Sequence, residues 1–258
     1  MKIRFIGTGS GKTSLKRFHS SFLILSNDFN LLVDAGDGIS KALLKQNISP
    51  GQIDGILFSH LHPDHFSGIG TLLVQMKLMK REKLLKIYLH DSLIPVVKNF
   101  IFSSYLFEER MDFEIKYCGF NGDEETIVND DIKFIARQNS HLDQYLKYDK
   151  EKILSFSCSS FLFNLNNKII CYTGDVGKKE DLNLFKGNDI SILISESTHI
   201  DKVAFSEIFE ELKPAKLIMT HIPDEQEEEL LAWKSSLSDE IRDNIIIASD
   251  GMTISTRE

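Results

Sequence analysis

The sequence has few cysteines and prolines, no long apolar run and no excess of basic residues. Its 258 residues include three cysteines, and no two of them form a Cys-X-X-Cys pair, which argues against a disulfide framework or a structural zinc ribbon. The longest apolar stretches, such as Ile245–Ala248, have the length of a strand, far below the roughly 20 residues of a membrane-spanning helix. The net charge of −8 disfavours a general nucleic-acid binder, which usually carries a basic excess.

Little in the chain marks a domain boundary or a targeting segment. The sequence has five prolines, no internal repeat and no Ser/Gly-rich linker, so we predict a single domain over residues 1–258. The N-terminal residues 1–6 (MKIRFI) predict a strand and lack the apolar core of a signal peptide. A cytoplasmic location is therefore the default expectation.

Short strand patterns alternate with helix patterns along the whole chain. Strands are predicted at residues 2–6, 21–26, 29–33, 54–59, 86–89, 113–118, 132–138, 158–165, 168–172, 190–195, 216–220 and 244–248. Helices are predicted at residues 37–46, 66–80, 92–107, 204–212 and 225–237. Periodicity alone supports an α/β or α+β fold. Since the second half repeats the mixture of the first, two packed sheets with helices outside suit the pattern.

The densest group of possible metal ligands lies in residues 59–65 (SHLHPDH). Three of the eight histidines fall there, between a buried-strand pattern and a helix pattern. Imidazole and carboxylate groups are the usual ligands of zinc, manganese and iron. His60 and His62 can point the same way from an extended segment, whereas Asp64 and His65 lie beyond the bend. The segment therefore predicts metal binding, with a single-metal site or a histidine-rich surface loop as the alternatives.

Further candidate ligands follow strand patterns elsewhere in the chain. Four residues cannot saturate two metals, so partners must come from other segments. His141, Asp175 and His221 each come at or near the end of an apolar strand pattern, where rigid scaffolds usually carry active sites. Singly each is weak evidence, because a lone histidine at a strand end is more often structural. Their joint occurrence with the histidine motif favours a shared centre.

These motifs together resemble the metallo-β-lactamase superfamily of hydrolases, in particular its group of ribonuclease Z and phosphoribosyl cyclic phosphodiesterases. Besides the histidine motif, the matching segments are residues 6–11 (IGTGSG), 20–21 (SS), 33–38 (VDAGDG), 172–175 (YTGD), 217–221 (LIMTH) and 248–252 (ASDGM). The resemblance implies an α+β fold, the four-layer αββα sandwich of that superfamily, with the site along one sheet edge.

The resemblance also implies two divalent cations, with zinc expected first and manganese or iron as alternatives. By that resemblance the first cation would be bound by His60, His62 and His141. The second would be bound by Asp64, His65 and His221, and Asp175 would bridge the two. Asp34 would orient a ligand, as such partners commonly do, or would be a simple turn carboxylate.

The expected activity is hydrolysis by a metal-bridging hydroxide, with a phosphodiester as the favoured substrate. The anionic scissile group needs cationic stabilisation, and the leaving alkoxide needs a proton. We predict that His199 supplies that proton with Glu196 beside it, although His199 could instead be a solvent-exposed residue at a helix start. The candidate catalytic residues are thus Asp64, His199 and Glu196.

Three other functions remain open from the sequence: hydrolysis at a carbon centre (lactone or thioester), RNA 3′-end processing, and metal-dependent binding without catalysis. Residues 142–157 occupy the position of the Gly/Pro-rich arm with which ribonuclease Z grips tRNA, but they contain neither glycine nor proline. The expected partner is a small anionic or phosphodiester substrate rather than RNA, with no membrane. Residues 92–107 and 142–157 could form a substrate rim or a homodimer contact, or pack in the core.

Residues 7–13 (GTGSGKT) imitate a phosphate-binding loop. The required spacing has four residues between the glycines, and counting back from Gly11 places Ile6 where the first glycine belongs. We therefore expect these glycines to allow a tight turn close to the metal site, not to bind a nucleoside triphosphate.

Overall fold

The structure is a computed structural model, and it describes residues 1–256. The strands in that range are β1 (Lys2–Gly7), β2 (Ser21–Leu25), β3 (Asn30–Val33), β4 (Gly55–Leu57), β5 (Leu85–His90), β6 (Ile115–Phe120), β7 (Glu125–Ile127), β8 (Ile132–Gln138), β9 (Ser159–Leu165), β10 (Lys168–Tyr172), β11 (Ile192–Glu196), β12 (Lys216–Thr220), β13 (Ile245–Ile247) and β14 (Thr253–Ser255). The α-helices are α1 (Ile39–Lys45), α2 (Pro63–Phe66), α3 (Ile69–Leu78), α4 (Ile94–Ser103), α5 (Lys202–Leu212), α6 (Glu227–Ser236) and α7 (Asp239–Arg242).

The strands form two seven-stranded sheets with matching patterns of pairing. The first has the order β14-β1-β2-β3-β4-β5-β6 and the second the order β13-β12-β11-β10-β9-β8-β7. In the first sheet, pairing is antiparallel from β14 to β3 and parallel from β3 to β6. In the second, it is antiparallel from β7 to β10 and parallel from β10 to β13. Each half of the chain therefore builds one sheet, apart from β14.

Apolar side chains fill three separate layers between these elements. One cluster joins the first sheet to α1, α3 and α4, and another joins the second sheet to α5 and α6. The third lies between the sheets and is rich in aromatic rings, such as Phe134 and Phe161, whose centroids are 5.6 Å apart at 86°. Sheets covered on both faces explain the near-continuous apolar strands of the sequence. The predicted αββα sandwich is confirmed.

The structure adds short elements that the sequence patterns did not predict. The edge strands β7 and β14 span three residues each, too few to show an alternation of apolar and polar residues. The predicted helix at 66–80 is two helices, α2 and α3, which Ser67 and Gly68 separate. Residues 142–157 include a 3-10 helix at Asp143–Tyr148. Among residues 1–256, no helix combines the length and the apolar character needed to cross a membrane.

The carboxyl ends of β3, β4, β8, β10, β11 and β12 meet along one edge of the sandwich. β8 runs antiparallel to β9, which runs antiparallel to β10, so β8 and β10 end on the same side. The loops that follow these strands carry all the predicted ligands that lie outside α2. The order and direction of the strands thus bring together residues that are far apart in the sequence.

Candidate metal centre

The structure brings every predicted ligand to this edge. His60 and His62 lie between β4 and α2, and Asp64 and His65 lie in the first turn of chain after them, within α2. The remaining ligands follow β8, β10 and β12 in the second sheet. They are His141, Asp175 and His221. The centre therefore lies between the two sheets, with a local motif on one side and single residues on the other.

The candidate ligands fall into two groups that share one carboxylate. The ligand atoms of each group lie within 4.8 Å of one another. The first group comprises His60, His62, His141 and Asp175, and the second comprises Asp64, His65, Asp175 and His221. Asp175 Oδ1 is 3.3 Å from His65 Nε2, and Asp175 Oδ2 is 3.7 Å from His141 Nε2 and 3.5 Å from His221 Nε2. Asp175 is therefore placed to contact both groups.

A buried carboxylate, Asp34, orients the histidines of the local motif. It accepts hydrogen bonds from Ser59 N at 2.8 Å and from Ser59 Oγ at 2.9 Å. His65 Nδ1 lies 2.9 Å from Asp34 Oδ2, and His60 Nδ1 lies 3.0 Å from Ser59 Oγ. Because the serine proton goes to Asp34, His60 must donate from Nδ1. Both rings are thereby held with Nε2 facing the centre.

The other ligand histidines are oriented in related ways. Thr198 donates its hydroxyl proton to the carbonyl of His221 at 2.6 Å, so its oxygen can accept from His221 Nδ1 at 2.9 Å. This leaves His221 Nε2 facing Asp64 Oδ2 at 3.2 Å. His62 Nδ1 and His141 Nε2 face each other at 3.2 Å, as two nitrogens do when they share a cation.

Unpartnered buried atoms test whether these residues fit a metal. Within residues 1–256, His60 Nε2, His65 Nε2 and Asp175 Oδ1 are buried side-chain atoms without a hydrogen-bond partner. Such atoms are rare in folded proteins, and here they face one centre. A divalent cation would satisfy each of them, and the mixture of imidazole and carboxylate is the donor set that zinc prefers. The residues therefore fit bound divalent metal.

Most of these ligands have shifted pKa values that favour the protonation state needed to bind a cation. Burial lowers the pKa of His60 well below its ordinary value, and burial lowers the pKa of His141 to about 4, so both rings are neutral. Burial opposes ionisation of Asp64, but its close contacts with the rings of His221 and His65 outweigh burial and hold the Asp64 pKa well below its usual range. Metal ligands must be neutral imidazoles or ionised carboxylates, and these groups meet that requirement.

His65 differs from the other ligand histidines. Burial by itself lowers the pKa of His65, but the nearby charges of Asp175 and Asp34 raise it well above the ordinary value. The two carboxylates therefore favour the protonated form of His65. A cation at this centre would replace that proton, so metal binding at this position is linked to proton release.

The backbone is unusual where it enters the centre. Asp34 and His221 have positive φ angles of 59° and 55°, a region that few residues other than glycine adopt and that is concentrated at functional sites. A Cβ atom on Gly36 would lie 1.8 Å from the carbonyl oxygen of Asp64, and one on Gly11 would lie 3.0 Å from Asp64 Oδ2. These glycines let two turns approach the ligand, as expected for residues 7–13.

The structure places His199 and Glu196 beside the ligands. The His199 ring centroid is 4.8 Å from that of His141 and 5.9 Å from that of His221. His199 Nδ1 lies 3.2 Å from Oε1 of Glu196, which is 1% exposed. Burial lowers the His199 pKa, but the hydrogen bond and charge of Glu196 outweigh it and raise it. These two residues and His221 could also hold a cation.

Two residues of the centre have roles that the sequence did not reveal. The hydroxyl of Tyr172 donates to Asp34 Oδ2 at 2.9 Å, although the two residues belong to different sheets. Thr198 fixes the ring of His221 as described above. A tyrosine in an apolar strand is a usable signal, because a buried phenol needs a hydrogen-bond partner. That partner depends on how the two sheets pack.

A family described as "Anti-Pycsar protein Apyc1" matches residues 1–208. The chain belongs to this family. Among curated relatives, ribonuclease Z of Saccharolobus solfataricus is 27% identical over 197 residues, which cover 72% of this chain and 65% of the relative. The chain thus spans less than two thirds of the length of that relative.

Solved structures share the fold of this chain. The metallo-β-lactamase fold protein YhfI of Bacillus subtilis superposes with a TM-score of 0.76 at 20% identity and covers 98% of each chain. The short form of human tRNase Z superposes with a TM-score of 0.74 at 19% identity and covers 100% of each chain. These similarities establish the fold, and together with the curated relatives they confirm the predicted metallo-β-lactamase superfamily.

Proposed function

We propose that this member of the Apyc1 family is a dinuclear metal-dependent phosphodiesterase. The observation that carries the proposal is the pair of ligand groups that share Asp175. In this proposal the first cation is bound by His60, His62 and His141 and the second by Asp64, His65 and His221. The donor set favours zinc, with manganese or iron as the alternatives to test.

The named relatives support phosphodiester chemistry. Several curated relatives are called ribonuclease Z, and ribonucleases cleave phosphodiesters. Processing of RNA 3′ ends stays the second possibility, but residues 142–157 lack the glycine and proline of the arm expected for it. The net charge of −8 also favours a small substrate over an extended nucleic acid. A cytoplasmic location and a homodimer stay predictions.

In the proposed reaction, each residue near the centre has a distinct task. When bound, two divalent cations would supply activated water and stabilise negative charge on the phosphoryl oxygens. Asp34 and Tyr172 keep the ligand geometry fixed during the reaction. Glu196 holds Nδ1 of His199, which leaves the proton on Nε2 for the departing alkoxide oxygen. The raised pKa of His199 favours the protonated form that this step requires.

The test combines metal analysis with turnover. We expect the purified protein, reconstituted with zinc or manganese, to bind two equivalents and to release p-nitrophenolate from bis(p-nitrophenyl) phosphate. His62→Ala should lose one equivalent and the turnover. As a matched control, His19→Ala changes a histidine whose Nδ1 contacts the carbonyl of Ser10 at 2.7 Å outside the ligand set.

Two results would count against this function. Elemental analysis without metal after reconstitution would remove its basis. Hydrolysis of lactones or thioesters without any phosphodiester cleavage would keep the metals but favour attack at a carbon centre.

A further inference from the structure

The loop of residues 8–18, between β1 and β2, supports the backbone of the ligand His221. That ligand has a φ angle of 55°, and a residue with a side chain keeps such a conformation only where its surroundings hold it. Thr198 Oγ1 donates to the carbonyl of His221, and the N–H of the next residue, Ile222, donates to the carbonyl of Thr8 at 2.8 Å. The position of Thr8 therefore helps to set the position of His221.

The same loop also reaches the ligand Asp64. A Cβ atom on Gly11 would lie 3.0 Å from Asp64 Oδ2, so the loop backbone passes close to this carboxylate. Asp64 and His221 both belong to the second ligand group. Within residues 1–256, no hydrogen bond joins the loop to the three histidines that occur in the first group alone. The loop is therefore placed to act on the second group selectively.

The hydroxyl of Thr8 is enclosed, and its position is fixed by two charged side chains. Thr8 is 0% exposed. Its Oγ1 accepts from Arg17 Nη1 at 2.6 Å and donates to Asp250 Oδ1 at 2.8 Å. The other oxygen of Asp250 accepts from the backbone N–H of Phe18 at 2.8 Å, so Asp250 holds both ends of the loop. We call Thr8, Arg17 and Asp250 the clamp.

Arg17 connects the clamp to the rest of the second sheet and its helices. Its Nη1 also donates to the carbonyl of Ala248, just after β13, at 2.7 Å. Its Nη2 pairs with Glu227, the first residue of α6, at 3.0 Å, and the Arg17 side chain is 8% exposed. The rigid fork of a guanidinium can serve several acceptors at once, which an ammonium group cannot do with the same geometry. The clamp thus ties the loop to elements far along the chain.

The loop has two further contacts with the same region, but these lie on the surface. Lys12 pairs with Glu225, and their side chains are 71% and 54% exposed. Ser14 Oγ donates to Asp224 Oδ2 at 2.6 Å. Exposed ion pairs contribute little, because water screens the charges and ordering long side chains costs entropy. The buried clamp is therefore the contact that fixes the loop.

We propose that Thr8, Arg17 and Asp250 are positioning residues for the second cation. The clamp fixes the Thr8 carbonyl, which supports His221, and it keeps the turn at Gly11 against Asp64. The inference rests on the proposed function, since it assigns residues to one of the two cations. It also gives a task to the segment 248–252 (ASDGM), which contains Asp250 and lies outside the ligand set.

The test measures the affinity of each metal equivalent by zinc competition with a chromophoric chelator. Thr8→Val keeps the branched shape and removes the hydroxyl, so Arg17 and Asp250 each lose a partner. We expect one equivalent to bind about 10–100-fold more weakly, as for loss of a group that orients a ligand, and the other to stay unchanged. Thr8→Ser keeps the hydroxyl and should restore most of the lost affinity. Arg17→Lys, a second variant, should weaken the same equivalent.

Arg81→Lys is the matched control, because Arg81 is also a buried arginine with three contacts. It is 5% exposed and donates to the carbonyls of Gly51, Lys83 and Leu84. These contacts lie at the amino end of β5, which runs parallel to β4, so they are at the edge opposite the ligands. Arg81→Lys should lower the Tm, as Arg17→Lys does, and leave both metal affinities unchanged.

The results separate positioning from a general contribution to stability. Equal weakening of both equivalents in Thr8→Val would overturn the inference, and so would unchanged affinities or a similar loss in Arg81→Lys. None of these results would touch the proposed function, since the wild type would still bind two cations.

If the wild type binds no metal, the proposed function fails and hydrogen exchange of the metal-free protein tests the clamp alone. Exchange at the N–H of Ile222 should be faster in Thr8→Val by roughly two- to tenfold, the equivalent of one hydrogen bond, and unchanged in Thr8→Ser and Arg81→Lys. Faster exchange in Thr8→Val alone would support the clamp as the device that positions His221. Unchanged exchange in Thr8→Val would overturn it.

Discussion

The ligand cluster and the rim, which is residues 142–157, meet where Tyr145 contacts His62, yet they differ in how deeply their side chains are buried. By the ligand cluster we mean His60, His62, Asp64, His65, His141, Asp175 and His221. In it His60 and His65 are fully buried, and hydrogen bonds orient the rings of His60, His65 and His221. In the rim, Tyr148 is 71% and Leu154 62% exposed. Rigid ligands suit chemistry, whereas an exposed apolar wall suits recognition, because its shape can change without disturbing the metals.

The largest expected effect is on the shared carboxylate of the ligand cluster. Asp175→Ala should lower metal content below one equivalent and reduce turnover on the order of a thousandfold or more, because both cations lose a ligand. Inductively coupled plasma mass spectrometry and turnover of bis(p-nitrophenyl) phosphate measure the two effects. Asp130→Ala, an exposed carboxylate, is the matched control. Full metal content in Asp175→Ala would show that the cluster is organised differently.

The rate loss on removing the proposed proton donor, His199, should depend on whether the leaving group needs a proton. His199→Ala should slow cleavage of an alkyl phosphodiester by roughly 10²–10⁴-fold, as for loss of a general acid. The p-nitrophenyl esters should lose far less, since p-nitrophenolate leaves without a proton. Comparing kcat for the two leaving groups in wild type and variant checks this. An equal loss for both would assign His199 a role in binding or in holding a cation.

Asp34 orients the ligand His65 and is expected to contribute to the affinity for metal. Asp34→Ala leaves His65 and Ser59 without their carboxylate and should weaken metal binding by roughly 10–100-fold. Competition with a chromophoric chelator gives this affinity without relying on turnover. Removal of the rim tyrosine, Tyr145→Ala, should leave the affinity unchanged. A similar loss in both variants would contradict the division between cluster and rim.

A smaller effect is expected where the two sheets join. Tyr172→Phe removes one hydrogen bond to the buried Asp34 carboxylate, at a cost of about 1.5–3 kcal/mol for a bond to a charged group. Thermal unfolding should show a lower Tm, and metal affinity should fall less than in Asp34→Ala. Tyr148→Phe in the rim serves as the control. An unchanged Tm would mean that this contact contributes nothing to the joining of the sheets.

The finest prediction concerns pH. Glu196 raises the pKa of His199, so the acid form persists to higher pH and activity falls as pH rises through that pKa. Glu196→Gln removes the charge, and the alkaline limb of the rate profile for an alkyl ester should move to lower pH. Glu207→Gln, at an exposed carboxylate paired with Lys179, should leave the limb in place. A limb that does not move would assign it to another group.

The histidine motif and the contacts between the sheets also differ in how far the sequence predicts them. The histidine motif is local, so its residues are recognisable in the sequence, and the apolar strand patterns identify the loops that carry the other ligands. Tyr172 is different, because its partner Asp34 is 138 positions away in the chain. The contacts of Ser92 with Ser155 and Ser157 likewise join residues from both halves of the chain. In the sequence these serines look like ordinary loop residues, because their contacts depend on how residues 142–157 pack beside the start of α4.

The sequence by itself indicated the candidate ligands, most of the strand and helix order and, through the resemblance of its motifs, the αββα sandwich, because motif spacing and apolar periodicity are local properties of the chain. Tertiary structure decided which nitrogen of each ring faces the centre, how Asp175 lies between two groups, and that an apolar pocket adjoins His62. Those features depend on distances between the sheets and on loop conformations. Such distances arise from packing, which no single segment encodes.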